Sequence, residues 1–362
     1  MQQNAVYPFQ LPLLPPKASF NDPAITKLVL DARVKLAELN GLTFSLANPF
    51  LLLSPAIIKE SIASSEIENI HTTILNVLEN QLFPEDEQKK PDKEVLRYRE
   101  AALWGFNKRK KLPISSRLIQ GIHKKLLPDL AGSFRITQNA ILDGKTKEII
   151  YTPPVQTEIS NLMGNLENFI NQQNGLVTPD WDPLIQIAMC HYQFESIHPF
   201  NDGNGRTGRI LMVLQLVDKN ILSLPTLYIS GYINKNKNAY YQLLRTVTKT
   251  GKWEEYILFM LQGFADQATE TTLLALKIKN LFQEQKQELK SVYGKIYSAD
   301  LLESMFSFPV ISPVKLGSEL AIHYGTASRY LVQLEKGGFL QSKWVGKYHF
   351  FANIKLLKLI HG

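Results

Sequence analysis

A glycine-rich loop between two helical runs constrains this 362-residue chain more than any other feature of its sequence. The loop reads HPFNDGNGRTGR over residues 198–209. Apolar residues keep helical spacing before the loop, from Asp182 to Ile197, and again after Thr207. The loop therefore leads into a helix N-terminus, where unpaired backbone N–H groups and the helix dipole favour an anion such as a phosphate chain.

Two common phosphate-binding motifs do not fit this loop. Gly203, Gly205 and Gly208 spell G-x-G-x-x-G, but a dinucleotide-binding fold needs a strand before the glycines, and here a helix precedes them. A P-loop needs Lys and Ser or Thr where this chain has Arg209 and Ile210. We expect Gly203 and Gly205 instead to adopt positive φ and to form a different anion-binding nest.

The polar side chains of the loop fit a reaction on a phosphate chain. Arg206 and Arg209 lie three residues apart on one helical face, so both guanidinium groups can hold phosphate oxygens. Asp202 offers an oxygen ligand for Mg²⁺, and an imidazole such as that of His198 suits a general base. Together these residues predict phosphoryl or nucleotidyl transfer to a hydroxyl group.

Composition indicates an ordinary globular protein of two or three domains. Hydrophobic residues make up 44% of the chain, and the net charge of +7 is compatible with nucleotide or nucleic-acid contact without requiring it. The single cysteine, Cys190, lies in an apolar helical run, which predicts a reducing compartment such as the cytoplasm. We expect no membrane span and no signal peptide.

Helical patterns dominate the first 292 residues. A helix over residues 24–39 is expected to stop at Asn40-Gly41, and Ser54-Pro55 predicts the start of a helix over 55–69. The charged run 84–93 predicts an exposed loop. The exception to helix is the segment 132–154, in which two candidate strands flank the turn dipeptide Asp143-Gly144; this segment is called the flap below.

The last part of the chain has its own pattern. Ser312-Pro313 opens a helix through His323, Thr326 caps a second helix that ends at Gly337-Gly338, and a small hairpin turns at Gly346. This is the order of a winged helix, although a generic helical cap with a hairpin would give the same pattern. The sequence thus predicts a mainly α-helical fold with a β-hairpin flap and a C-terminal winged-helix domain.

The glycine-rich loop resembles the H-x-F-x-D-G-N-G-R-x-x-R signature of the Fic family of protein adenylyltransferases at every fixed position. The resemblance implies that His198 deprotonates a Ser, Thr or Tyr hydroxyl of a target protein, which attacks the α-phosphorus of ATP and expels pyrophosphate. It implies Asp202 as the Mg²⁺ ligand. The implied ATP-binding residues are Asp202, Gly203, Asn204, Gly205, Arg206, Thr207, Gly208, Arg209 and Tyr240. Related Doc-like kinases carry a Lys soon after the Asn, so Arg206 indicates AMP transfer rather than phosphorylation.

Other segments extend the resemblance to a Fic-type helical core over residues 111–262, with a connector helix over 263–292 and the tail domain over 293–362. The flap implies that a target protein binds as an added strand, with Ile150 and Tyr151 near the nucleotide. The run NAYYQLL resembles a helix that closes the adenine pocket, although core packing is the alternative for its tyrosines.

An inhibitory pattern precedes the core, in an N-terminal helical region over residues 1–110. The run Ser64 to Asn69 fits the family pattern Ser/Thr-x-x-x-Glu-Gly/Asn. The resemblance implies that Glu68 pairs with Arg209 and so removes a phosphate ligand. On residue type alone, a Glu at a helix end is more often a solvated surface carboxylate.

Two other functions remain open on the sequence. A DNA-binding transcriptional regulator with a nucleotide-sensing core would bind duplex DNA in a salt-dependent way, through Arg329 and Lys347 of the tail. A de-AMPylating hydrolase would use Glu68 in the reverse reaction. His191 and Glu195 share a helix face, but no further zinc ligands accompany them, so helix packing is expected. The sequence leaves open the target, a homodimer, and whether the tail binds DNA or protein.

Overall fold

The structure, a computed structural model, describes residues 7–361 except 46–47, 131, 143, 145, 175 and 177–179, and for residues 50–52 only the backbone. Helices dominate the described residues, which confirms the mainly α-helical prediction. The helices are α1 (Pro23–Phe44), α2 (Phe50–Ile67), α3 (Ile74–Asn80), α4 (Lys90–Arg109), α5 (Ser116–Leu126), α6 (Ile159–Asn171), α7 (Pro183–Ile197), α8 (Asn204–Asp218), α9 (Ile229–Lys235), α10 (Lys237–Thr250), α11 (Glu254–Val292), α12 (Ala299–Ser307), α13 (Pro313–Leu320), α14 (Tyr324–Lys336) and α15 (Ile354–His361). The strands are β1 (Ile141–Leu142), β2 (Ile149–Tyr151), β3 (Val310–Ile311), β4 (Gln341–Val345) and β5 (Tyr348–Ala352).

The chain forms two compact units, each assembled from separate stretches of sequence. The first unit consists of residues 1–37, 97–225 and 229–266, and the second of residues 38–96, 226–228 and 267–362. Helices α1, α4 and α11 each contribute residues to both units. The four continuous domains expected from the sequence stay predictions.

Helix α7 lies in the core of the first unit. Its side chains are buried on nearly all faces, including the polar side chains of Gln186, His191 and Gln193. The Asp182 side chain caps its start by accepting a hydrogen bond from Leu184 N at 2.8 Å, with Pro183 in the first helical position. Helix α8 packs against α7. The two helical runs that flank the glycine-rich loop are therefore confirmed, and residues 198–203 connect them.

In the flap, β1 and β2 pair as antiparallel strands, as predicted. The predicted turn residue Asp143 lies outside the described residues.

The helix predicted over residues 55–69 is α2, but both predicted ends are wrong. Helix α2 begins at Phe50, so Pro55 lies inside it, and Ser54 does not cap it. The hydroxyl of Ser54 instead donates to Ser307 O at 3.2 Å. The local Ser-Pro signal is overridden because the added first part of α2 is packed: Leu53, which precedes Ser54, is only 2% exposed.

The end of α2 has the geometry of a Schellman motif. Asn69 has φ 62°, Asn69 N donates to Glu66 O, and Ile70 N donates to Ser65 O, each at 3.0 Å. Gly and Asn adopt this left-handed conformation at the least cost. An Asn therefore suits residue 69, the last residue of the run Ser64 to Asn69, and Glu68 before it is the exposed C-cap residue.

Helix α1 continues past the predicted stop at Asn40-Gly41 to Phe44. Leu36, Leu39 and Thr43 are all buried at helical spacing, so one buried face runs through the Asn-Gly pair. A turn dipeptide is a weaker determinant than this burial.

The tail has the predicted order of two helices followed by a hairpin. Strand β5 lies between β3 and β4 in an antiparallel sheet, and Gly346 turns the hairpin with φ 57°. The predicted cap at Thr326 is wrong, because His323 caps α14 by accepting a hydrogen bond from Gly325 N at 3.1 Å. The β4–β5 hairpin is called the wing below.

The wing is covered on both faces within the second unit. Phe351 lies in one apolar cluster with α12, α13 and α14, and Phe350 lies in another with Ile58 and Ile62 of α2 and Val77 of α3. Phe83 packs edge-on against the rings of Tyr348 and Phe350, at centroid distances of 4.9 and 5.3 Å.

Ion pairs extend this packing. Lys343 Nζ donates to both carboxylate oxygens of Glu79, at 2.9 and 3.1 Å, and Lys347 Nζ donates to Glu87 at 3.3 Å.

The expectation that residues 84–93 form an exposed loop is wrong for the last four of these residues. Helix α4 starts at Lys90, and Asp92 is buried where it accepts hydrogen bonds from Thr72 and Asn80.

Among the described residues, none of the helices combines the length and the apolar character that crossing a bilayer requires.

Candidate active site

His198 lies at the end of α7, in a backbone conformation that needs support. It is the C-cap residue with φ 50° and ψ 58°, and its N–H donates to Phe194 O at 3.1 Å. For a residue other than glycine this left-handed conformation costs about 1–2 kcal/mol, which contacts with neighbouring groups can offset. Arg135 of the flap is such a group, because its Nε donates to His198 O at 3.0 Å.

Arg135 ties the flap to the glycine-rich loop. Its guanidinium group also donates to Thr137 O at 3.0 Å and to Pro154 O, so it binds both ends of the flap. Its backbone N–H donates to Pro199 O at 2.8 Å. The residue is 3% exposed. Sequence reasoning missed this residue; the available signal was a lone Arg inside the apolar pattern of a predicted hairpin.

The start of α8 is shaped by Gly203 and Asn204. Gly203 is the N-cap residue with φ 75°, a conformation that glycine adopts at the least cost, and a Cβ there would lie 2.7 Å from Leu127 Cδ1, so that a side chain would also require Leu127 to move. Asn204 Oδ1 accepts from Phe200 N, and Asn204 Nδ2 donates to Phe200 O, both at 2.8 Å. The prediction of positive φ at Gly205 is wrong, because this residue lies in the first turn of α8.

His123 of α5 supports the loop from the other side. Its ring stacks on Phe200 at a centroid distance of 3.8 Å, and its Nε2 lies 2.9 Å from Asp202 O. Burial lowers the pKa of His123, so the neutral ring donates its Nε2–H to that carbonyl. The sequence offered no sign of this role, since His123 has no ligand partner at a recognisable spacing.

The two arginines of the glycine-rich loop lie in the first two turns of α8. Arg206 is 2% exposed and Arg209 is 1% exposed, so both guanidinium groups are held inside the protein rather than in solvent. Thr207 is fully buried, and its hydroxyl makes no hydrogen bond among the described residues. Of the predicted nucleotide-binding residues, Asp202 is exposed and Gly205 is half-buried.

Gly208 is required for helix packing, whereas Gly203 is required for its backbone conformation. A Cβ at residue 208 would lie 2.3 Å from Glu195 Oε1 and 3.0 Å from the Phe194 ring. The absence of a side chain therefore allows α7 and α8 to approach closely at the point where Glu195 lies.

Tyr240 lies in the core of the first unit. It is 1% exposed, and its hydroxyl lies 2.8 Å from His191 Nε2. Burial, reinforced by the Glu195 carboxylate, raises the pKa of Tyr240 well above its ordinary value. Burial, reinforced by the Arg209 charge, lowers the pKa of His191 to about 3. His191 is thus a neutral hydrogen-bonding residue, which agrees with the expected helix-packing role.

Metal ligands are sparse. Within the described part of the chain, His, Cys, Asp and Glu side chains form no cluster of three that could hold a metal ion. Asp202 Oδ1 accepts a hydrogen bond from Gly203 N at 2.6 Å, which directs this exposed carboxylate towards the start of α8.

The flap leaves apolar side chains in solvent. Ile136 is 85% exposed, Leu142 50% and Ile149 37%. At the base of the flap, Tyr151 Oη donates to Ser196 O of α7 at 2.7 Å, and burial raises the pKa of this tyrosine. The flap is therefore fixed at its base and open along its strands.

Comparisons with known proteins agree with this arrangement. Residues 113–216 match the Fic/DOC family, residues 26–107 the Fic/DOC family N-terminal region, and residues 281–356 the C-terminal domain of protein adenylyltransferase SoFic-like proteins. Two curated relatives are named protein adenylyltransferase Fic. The protein of Aedes aegypti is 32% identical over 165 residues, which is 44% of this chain and 28% of the relative, and that of Culex quinquefasciatus is 33% identical over 157 residues, which is 42% and 27%.

The aligned part thus spans less than a third of these curated relatives. A solved structure of a Fic family protein from Desulfovibrio desulfuricans matches 93% of this chain and 98% of its own, with a TM-score of 0.58 and 20% sequence identity. At this identity the likeness shows the fold. The three family matches do not overlap and cover well over half of the residues, so the chain belongs to the Fic/DOC family.

Proposed function

We propose that this protein transfers AMP from ATP to a Ser, Thr or Tyr hydroxyl of a target protein and releases pyrophosphate. In this reaction the hydroxyl oxygen bonds to the α-phosphorus, the bond from that phosphorus to the bridging oxygen breaks, and His198 accepts the hydroxyl proton. The curated relatives that carry the name protein adenylyltransferase support this assignment.

One observation carries the proposal: residues 198–203 connect α7 to α8, with His198 at the first position of this connection and the N-terminus of α8 directly after the last. The helix N-terminus offers backbone N–H groups and a favourable dipole to a phosphate chain. Arg206 and Arg209 in its first two turns would bind the β- and γ-phosphates, and their burial would strengthen this attraction.

Mg²⁺ fits the donor set of this loop. Asp202 presents a single carboxylate beside the proposed phosphate site, and Mg²⁺ commonly binds through one or two carboxylates together with substrate phosphates. When bound, the ion would neutralise phosphate charge. Asp202 would hold it, and the remaining ligands would come from ATP and water.

Two further parts of the proposal concern regulation and the target. Glu68 would restrain the enzyme by pairing with Arg209, which removes a phosphate ligand; the Schellman motif that ends α2 supports this by giving Glu68 a defined position. The target would add as a strand to the flap, where Leu142 and Ile149 are exposed. We place the protein in the cytoplasm, which its one buried, unpaired cysteine supports.

DNA binding through the tail has less support. The wing lysines that a winged helix would offer to phosphates are Lys343 and Lys347, and both pair with glutamates of the same unit. We therefore favour a protein-binding or structural role for the tail.

Labelled ATP tests the proposal. The wild type, Glu68→Gly and His198→Ala would be incubated with Mg²⁺, a cell lysate and ATP labelled at either the α- or the γ-phosphorus, and protein-bound label would be counted. Asp86→Gly and His71→Ala, at exposed positions, serve as matched controls.

We expect α label alone on protein, more of it with Glu68→Gly and none with His198→Ala. Label from the γ position would indicate a kinase. Label from neither position would overturn the proposal, and an α label unchanged by Glu68→Gly would overturn the restraint.

A further inference from the structure

Asn139 lies between Arg135 and β1, at the point where the flap meets the glycine-rich loop. Its Nδ2 is 3.2 Å from His198 Nδ1 and donates to Phe200 O at 3.4 Å. The residue is half-buried. A flap side chain thus contacts the imidazole of the proposed general base directly.

The surroundings favour one orientation of the Asn139 amide, in which its Oδ1 atom is buried and makes no hydrogen bond among the described residues. Phe200 O is a carbonyl, so it can only accept hydrogen bonds, and the Asn139 NH₂ group faces it. That same NH₂ group is the one next to His198 Nδ1. The reversed orientation would place the Asn139 carbonyl oxygen against Phe200 O, which is repulsive. The Asn139 amide therefore presents an N–H donor to the imidazole.

Asn204 Nδ2 lies 3.3 Å from both Nδ1 and Nε2 of His198, so this second amide favours neither nitrogen. Asn139 Nδ2 lies beside Nδ1, and an N–H donor at that position favours a lone pair on Nδ1. In a neutral imidazole one nitrogen carries the proton and the other accepts. The proton of neutral His198 then lies on Nε2. Nδ1 faces the flap, which is the side from which a strand-like target segment would arrive.

We propose that Asn139 is a positioning residue that orients the His198 imidazole and selects the tautomer with the proton on Nε2 and the lone pair on Nδ1. This inference rests on the proposed function. The target hydroxyl would give its proton to Nδ1, while Nε2 keeps its own proton, so the ring becomes an imidazolium as pyrophosphate leaves. The 3.2 Å contact is at the long end for a hydrogen bond, so an arriving hydroxyl can displace the amide.

The role differs from that of the neighbouring Gln138. Gln138 Nε2 donates to Pro153 O at 2.9 Å and to Asn139 O at 3.1 Å, so it supports the flap without contacting His198. Replacing Gln138 therefore separates general support of the flap from orientation of the imidazole.

Nitrogen NMR of histidine-labelled full-length protein tests the tautomer without any need for activity. The His198 signals would be assigned by their loss in His198→Ala, and spectra would be recorded at a pH where imidazoles are neutral. We expect the wild type and Gln138→Ala to show a protonated Nε2 and an unprotonated Nδ1. Asn139→Ala should shift towards a mixture of the two tautomers.

Asn139→Asp gives the sharpest outcome, because a carboxylate of the same size can only accept a hydrogen bond. It should draw the proton to Nδ1 and reverse the two nitrogen signals. In AMP transfer, Asn139→Ala and Asn139→Asp should lower kcat by about 10- to 100-fold with little change in the KM for ATP.

Spectra of Asn139→Ala and Asn139→Asp identical to wild type would overturn the inference, even if both variants were less active. A reversed tautomer in Asn139→Asp in a protein that transfers no AMP would instead support the tautomer and overturn the proposed function.

Discussion

The flap and the wing are both small β-hairpins, yet different forces hold them. The wing has two five-residue strands in register with a third strand, and phenylalanines are buried on both of its faces. The flap has strands of two and three residues, and its apolar side chains are largely exposed. Its base is held by hydrogen bonds from Arg135, Gln138 and Tyr151 to backbone carbonyls.

The difference separates a hairpin that stabilises its unit from one for which we propose a binding role. Burial of a Phe side chain contributes about 1.5–3 kcal/mol, so the wing stabilises the second unit through its two faces. Directional hydrogen bonds at the base of the flap define its position with little buried apolar area. The side chains of Leu142 and Ile149 are exposed instead, where we propose that the target binds.

Removing an aromatic side chain from the wing should have the largest effect. Phe351→Ala should lower the free energy of unfolding by about 3–5 kcal/mol, because Phe351 is fully buried in a close-packed cluster. Ile149→Ala in the flap is the matched change at a 37% exposed site. Urea unfolding of both variants measures the two changes in the free energy of unfolding. Similar decreases would refute the view that the wing contributes more to stability than the flap.

The base of the flap should matter more for rate than for folding. Arg135→Met removes the hydrogen bonds to His198 O and Thr137 O, and we expect about a 100-fold loss in kcat for the proposed AMP transfer, as is common when reacting groups are misplaced. Arg135→Lys should restore only a small part of the lost kcat, because one ammonium group cannot replace the several N–H donors of a planar guanidinium group. An unchanged kcat in Arg135→Met would contradict a role of the flap base in catalysis.

The sequence predicted the parts of this comparison that depend on local patterns. Alternating residues around Gly346 and the helical runs on both sides of His198 were sufficient to predict the wing and the two central helices. The start of α2 and the length of α1 were missed because distant packing overrides Ser-Pro and Asn-Gly signals. Arg135 and His123 were missed for a related reason: their partners are backbone carbonyls far away in sequence, which no spacing reveals.

A smaller effect concerns the ion pair between the wing and α3. Glu79→Gln and Lys343→Met, combined in a double-mutant cycle, should give a coupling energy of about 0.5–1 kcal/mol, the upper range for partly exposed pairs. The pair Lys315 and Glu319, four residues apart on α13, is the control and should give about 0.3–0.5 kcal/mol. Equal coupling energies in both pairs would mean that the Lys343–Glu79 pair stabilises the protein no more than an ordinary surface ion pair within one helix.

The smallest expected effect is on stability in the flap. Leu142→Thr should change the free energy of unfolding by no more than about 0.5 kcal/mol, because Leu142 is 50% exposed. The same change should raise the KM for a protein target several-fold while leaving the KM for ATP unchanged. A large loss of stability would show that the flap, like the wing, is a structural element.

The contact between Lys343 and Glu79 joins residues 264 positions apart in the chain. During synthesis, α2 and α3 emerge from the ribosome long before the wing that covers them has been made. The first unit, which holds the glycine-rich loop, ends at Asp266 and can be completed earlier. Domains commonly fold as units during translation, and contacts distant in sequence form slowly. A partly synthesised chain would then contain the complete glycine-rich loop before the wing has packed against α2, the helix whose C-cap residue is Glu68.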